Sequence, residues 1–140
     1  MRTPVATGIV EAVSKRWLRR LGQIGTVAAA AVTLYLTLTP KPPESPLEPW
    51  QGHFLMFLVL GGAVALWYAT SDLARRSPRR SLLMILLGLW VFAAATELGQ
   101  GMMAEREPHV EDWFANMAGA LTGLFGGSLL WRLILERRLY

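Results

Sequence analysis

Residues 53–70 read HFLMFLVLGGAVALWYAT. No charged side chain follows His53 in this run. A helix rises about 1.5 Å per residue, so about 20 such residues cross the roughly 30 Å of bilayer hydrocarbon. In that solvent each backbone N–H and C=O must be paired within the segment, which a helix achieves. Three further stretches of the same kind flank this one, at residues 21–38, 82–101 and 113–131. The breaks between them are polar or proline-rich: PKPPESPLEP at 40–49, RRSPRR at 75–80 and MMAEREPHVE at 102–111. Proline ends helices and arginine is excluded from hydrocarbon, so these are loops. The expected fold is an all-α membrane protein, a four-transmembrane-helix bundle forming a single domain over residues 1–140, with a basic segment at 1–20.

Composition agrees. The chain is 53% hydrophobic and only 17% charged, more apolar than soluble domains of its length. Its net charge of +4 resides in short basic blocks between apolar runs, without a nucleic-acid-binding motif, so no nucleic-acid partner is expected. The absence of cysteine excludes disulfides, thiolate metal sites and cysteine nucleophiles.

Orientation follows from the basic residues, because short Lys/Arg-rich loops stay in the cytoplasm. Arg2, Lys15, Arg16, Arg19 and Arg20 precede the first span, Arg75, Arg76, Arg79 and Arg80 join the second and third, and Arg132, Arg137 and Arg138 close the chain. The opposite side has Lys41 and Arg106 among Glu44, Glu48, Glu105, Glu107, Glu111 and Asp112. Both termini are therefore expected in the cytoplasm. Trp17 and Trp131 then fall at the inner interface and Trp50 and Trp113 at the outer one. A secretory signal peptide is the competing reading of the first forty residues, but the apolar core is long and no small-x-small site follows Leu38, so a retained anchor is expected. Val10, Val13, Trp17 and Leu21 share one helical face opposite several basic residues. This suits a short helix on an anionic leaflet; a disordered basic tail is the alternative, and both stay open.

An ionisable side chain in a span costs about 2.5–3.5 kcal/mol on insertion scales, so its position points to function. Glu97 lies near the outer end of the third span with Gln100 three residues on, along the same face. In the fourth span Asp112, Asn116, Gly119, Gly123 and Gly127 form a narrow stripe, with Gly126 at its edge. The glycines read as a helix-packing face, Asn116 alone as an interhelical hydrogen-bonding group, and Asp112 alone as a helix cap. His53, Glu97, Gln100, Arg106, His109, Asp112 and Asn116 all fall toward the outer side. They compose a candidate polar site with carboxylates, imidazole and a guanidinium suited to phosphate or carboxylate. The inner half shows no comparable gathering of polar residues. His53, His109, Glu97 and Asp112 have metal-ligating chemistry but no local spacing that fixes two ligands together, so neither metal nor cofactor is expected. No serine other than Ser45 accompanies these residues, which leaves no Ser-His-Asp triad. Gly61 and Gly62 offer a small-residue face through which a homo-oligomer stays open.

The order His53-Phe54, Glu97-Leu98-Gly99-Gln100, Arg106, Asp112, Asn116 and Gly119, set against the spans, resembles the VanZ-like family of small bacterial membrane proteins over roughly residues 35–130. A departure is the Glu-Arg-Glu-Pro sequence at 105–108, where many relatives place a glycine before the arginine. The resemblance implies a multi-pass protein of the bacterial cytoplasmic (inner) membrane. The family's founding member is associated with low-level resistance to the glycopeptide antibiotic teicoplanin, and the resemblance implies no established reaction.

Three functions fit this reading. The first is a cell-envelope protein whose outer site binds a membrane lipid headgroup or a lipid-linked cell-wall precursor, with Arg106 and His53 on the anion, Glu97 and Asp112 orienting them, and Asn116 and Gln100 satisfying the remaining polar groups. The second is an intramembrane enzyme acting on a lipid-linked substrate, with Glu97 or Asp112 as base and His53 as acid–base partner. The third is a small transporter component, which four spans accommodate only by oligomerising.

Overall fold

The computed structural model describes residues 4–40, 43–103 and 109–136, with side chains from Lys15 to Leu133 within those ranges. The chain folds as α1 (Pro4–Leu38), α2 (Pro49–Thr70), the single turn α3 (Leu73–Arg76), α4 (Pro78–Gly101) and α5 (Val110–Leu130), followed by a π-helical turn at Trp131–Glu136. Among the described residues there is no strand. Proline punctuates the starts. Pro49 opens α2 behind an extended Glu48, whose backbone N–H donates to Gln51 Oε1 at 3.0 Å. Pro78 likewise opens α4, so this helix starts four residues before the expected 82 and carries Arg79 and Arg80 in its first turn. Proline lacks the N–H that a first helical position leaves unpaired, and its φ is already helical. The stretch expected as a plain loop therefore holds α3 and the start of α4. At the N-terminus, α1 runs unbroken for 35 residues and joins the basic segment to the apolar run.

Helix α2 is the axis of the molecule: its most extensive contact is with α5 and its next with α1, while α4 touches α1 and α5 more lightly. The buried apolar core consists of Phe57, Leu60, Val64 and Ala65 of α2, Leu89 and Ala93 of α4, and Ala120 and Leu124 of α5. Phe57 and Phe92 pack with ring centroids 5.8 Å apart. At the basic end, Arg19 Nη1 lies 3.3 Å from Asp72 Oδ2 and ties α1 to the α2–α3 connection.

The outside of this bundle is apolar. Ile24 and Val27 of α1, Val59 of α2, Leu83 and Met84 of α4 and Phe114 of α5 are each more than half exposed. Soluble monomers rarely expose contiguous apolar surface of this kind, and lipid is the solvent that accepts it. Three helices are long and apolar enough to cross a membrane: Lys15–Leu38, Pro49–Thr70 and Pro78–Gly101. The chain is thus an all-helical, multi-pass membrane protein. Helix α5, expected as a fourth span, is not among the three, although its 21 residues give a length of about 31 Å. Glu111, Asp112, Asn116 and the four glycines at 119, 123, 126 and 127 lower its apolarity. The polar and glycine residues that make it distinctive face its neighbours: Asp112, Asn116, Gly119 and Gly123 are buried.

Candidate functional site

The polar cluster is assembled at one end of the bundle, from the start of α2, the end of α4 and the start of α5. His109 has extended backbone and is the N-cap residue of α5, so Asp112 is the third residue of the helix and points inward. There its carboxylate is favourably placed in the field of the helix N-terminus. The cap reading of Asp112 is thereby replaced: the side chain is buried, its Oδ2 lies 3.7 Å from His53 Nε2, and His109 occupies the cap position. One turn further on, Asn116 is fully buried and bridges two helices. Its Nδ2 donates to Glu97 Oε1 at 2.7 Å, and its Oδ1 lies 3.0 Å from His53 Nδ1.

These bonds determine where protons sit. The amide must turn its NH2 toward the carboxylate, so its carbonyl oxygen faces the imidazole and His53 Nδ1–H is the donor. Nε2 then faces Asp112. A spacing of 3.7 Å is longer than a direct hydrogen bond, and the pair is complementary when one of the two groups carries a proton. His53 Nδ1 also lies 3.7 Å from Glu97 Oε1. The result is a continuous run of groups, Asp112–His53–Asn116–Glu97, with one loose end. Glu97 Oε2 is the buried side-chain polar atom without a hydrogen-bond partner among the described residues.

Gln100 takes another direction. Buried on the same face of α4, its Nε2 donates to the carbonyl of Thr37 at 3.3 Å. Thr37 is the penultimate residue of α1, and the last carbonyls of a helix lack intrahelical donors, so Gln100 closes the end of α1. The first span therefore takes part in this region too, although none of the expected site residues lies on it. Thr33 and Thr37, buried one turn apart, and Thr96, buried beside Glu97, belong to the same polar end. The hydroxyls of Thr37 and Thr96 turn back to Thr33 O at 2.7 Å and Ala93 O at 2.8 Å. The acceptor of the Gln100 bond is a main-chain oxygen, so no side-chain signal in α1 marks this contribution.

What brings the donors this close is glycine. A Cβ on Gly119 would collide with the carbonyl oxygen of Phe54, one on Gly123 with that of Leu58, and one on Gly61 with that of Ala120. Gly127 meets the Ala65 side chain, whereas a Cβ on Gly126 would meet nothing within 4 Å. The stripe expected as a packing face thus packs on α2. Gly61 is buried in that same contact, which removes it from any face between two copies of the chain. Gly22 performs the corresponding role between α1 and the Trp67 backbone.

Arg106 lies outside the described residues. His109 is exposed and close enough to act on Glu97 through its charge, without a hydrogen bond to the cluster among the described residues. Trp17 and Trp50 are at least half exposed, in keeping with interfacial rings; Trp113 is partly buried and Trp131 is buried. Among the described residues no group of three or more His, Cys, Asp or Glu is arranged to hold a metal ion. Comparison of the chain with family models, with curated proteins and with solved structures finds no match.

Proposed function

We propose that the chain is a four-span, VanZ-like protein of the bacterial cytoplasmic membrane, with α5 as the fourth span and both termini inside, and that its outer polar cluster binds the headgroup of a lipid or lipid-linked cell-wall precursor. The observation that carries this reading is Glu97 Oε2. Every other side-chain polar atom buried to that degree in the described residues has a partner, whereas this carboxylate oxygen has none. An unsatisfied buried acceptor calls for a donor, and a headgroup hydroxyl or ammonium supplies one once the ends of α4 and α5 part enough to admit it. The role of His53 changes accordingly. Its Nδ1 is committed to Asn116 and its Nε2 faces Asp112, so it organises the site rather than grasping an anion. Phosphate contact falls to Arg106. An effect on teicoplanin susceptibility is the phenotype the family resemblance would predict.

The test is mass spectrometry of gently purified wild type beside Glu97→Gln and Arg106→Ala. A lipid species that copurifies with wild type and is depleted in both variants is the expected result. Identical lipid content in all three proteins would rule the reading out. A second reading, an acid–base enzyme on a lipid-linked substrate, is favoured by the fixed tautomer of His53 between Asn116 and Asp112. Its mark is a chemically altered lipid that disappears in His53→Gln.

A further inference from the structure

The opposite end of the bundle holds a cavity of about 850 Å³, within the range of about 300–1,000 Å³ typical of ligand pockets. Six cationic side chains line it: Lys15, Arg16 and Arg19 from α1, Arg75 of α3, Arg79 of α4 and Arg132 just beyond α5. These come from three segments far apart in sequence, so the cluster is a product of the fold and not of one basic run. Among the described residues of the lining the one acid is Asp72, and it is bound to Arg19 at 3.3 Å. The same cavity has apolar walls, formed by Leu82, Leu124, Phe125 and Leu129. Phe125 and Leu129 are more than half exposed on the outer surface of α5, so the apolar side continues onto the face turned to lipid.

We propose that this cavity is a binding site for an anionic phospholipid whose headgroup carries two phosphates, in the manner of cardiolipin. Two features favour a lipid over a free phosphate ion. The basic groups gather where spans Lys15–Leu38, Pro49–Thr70 and Pro78–Gly101 reach one end, which is headgroup depth, and the cavity pairs cations with apolar walls that a small ion has no use for. Charge balance favours two phosphates over one. Beside the Arg19–Asp72 pair, Arg16, Arg79 and Arg132 bring three guanidiniums from three segments, more charge than a single phosphodiester offsets, and basic pockets between membrane helices attract polyanionic headgroups. The guanidinium forks of Arg16, Arg79 and Arg132 match phosphate oxygens in pairs. Arg19 and Asp72 build the wall by holding α1 against the α2–α3 connection. The proposal rests on the membrane reading of the chain but not on the polar cluster at the other end.

The experiment uses the full chain in detergent, titrated with tetraoleoyl cardiolipin, dioleoyl phosphatidylcholine or inorganic phosphate. Unfolding temperature and native mass spectrometry are the readouts. Cardiolipin should raise the unfolding temperature and survive as a one-to-one adduct, while phosphatidylcholine and inorganic phosphate leave both unchanged. Arg79→Gln and Arg132→Gln should each weaken cardiolipin binding about fivefold, and their combination about 25-fold, from the roughly 1 kcal/mol that each basic residue gains near an anionic headgroup. Both arginines are exposed, and unfolding in the absence of lipid verifies that the variants fold. Glu97→Gln should bind cardiolipin like wild type, which separates failure of this proposal from failure of the outer-site reading. Equal stabilisation by phosphatidylcholine, or unchanged cardiolipin binding in the double variant, overturns it. Stabilisation by inorganic phosphate alone does so too, by making the cavity an ion site.

Discussion

Gly123→Ala adds one methyl group, and the consequences follow from what that methyl meets. Its carbon would collide with the Leu58 carbonyl oxygen and lie 2.7 Å from the Gly62 nitrogen, both backbone atoms of α2. No side-chain rotation relieves this; α5 or α2 must shift as a body, by something approaching 1 Å at that level. Overpacking of this kind costs about 1–3 kcal/mol. Helix propensity acts the other way, because alanine is better than glycine in a helix by up to about 1 kcal/mol. Gly126→Ala isolates that second effect, since the added methyl there meets nothing within 4 Å. The propensity gain is common to both variants and cancels in their difference, leaving the strain. Gly123→Ala should therefore unfold at a lower temperature than Gly126→Ala, by a few degrees to about 10 °C, in thermal unfolding of detergent-solubilised protein. Coincident unfolding curves for the two would refute the inference that backbone contact, and not merely small volume, requires glycine at 123.

Asn116→Leu removes both the bond to Glu97 Oε1 and that to His53 Nδ1, leaving two buried polar groups without their partner. The expected loss is about 1–3 kcal/mol, nearer the lower figure because unfolded membrane helices find alternative partners, and nitrogen NMR of His53 should register the lost Nδ1–H tautomer preference. Asp72→Asn, by contrast, removes an ion pair whose side chains are 40% and 70% exposed, and should change the unfolding free energy by less than about 0.5 kcal/mol; a larger effect in denaturant titration would show that this contact organises the α2–α3 connection beyond its charge.

Much of this architecture was open to reading from residue order alone, and the parts that were not have physical reasons. Successive long helices reverse direction, so polar residues at the start of one and the end of the next meet at one end, and residue order alone brings His53, Glu97, Asp112 and Asn116 together. The glycine stripe on α5 likewise announces a close contact. It does not announce the partner, because what Gly119 and Gly123 approach is the backbone of α2 at Phe54 and Leu58, and a carbonyl has no side-chain signature. The contribution of α1 escaped for the same reason: Thr37 acts through its main-chain oxygen. Asp112 was ambiguous between cap and site because three residues decide it. Starting α5 at Val110 moves the carboxylate from the end of the helix to its first buried turn. At the basic end, counting arginines by loop described an orientation signal, and only the packing of α1, α3, α4 and α5 turns the same residues into the lining of one cavity.

Packing and chemistry on the α2–α5 pair form a single arrangement. Gly119 lies three residues after Asn116, and the carbonyl it touches belongs to Phe54, the neighbour of His53. The His53–Asn116 bond of 3.0 Å therefore spans the same gap that glycine keeps narrow. Widening that gap by about 1 Å, as the methyl group demands, would carry the bond to about 4 Å, outside hydrogen-bonding range. His53 Nδ1 would then lose its acceptor and Asn116 its fixed orientation, and Glu97 would lose the donor that holds Oε1. Gly119 is thus a positioning residue for the polar cluster as well as a packing residue for the bundle. On this argument Gly119→Ala should disturb the His53 tautomer almost as strongly as loss of Asn116, although the methyl touches neither ring nor amide. Gly126→Ala, seven residues further along the same helix and facing open space, should leave that signal untouched.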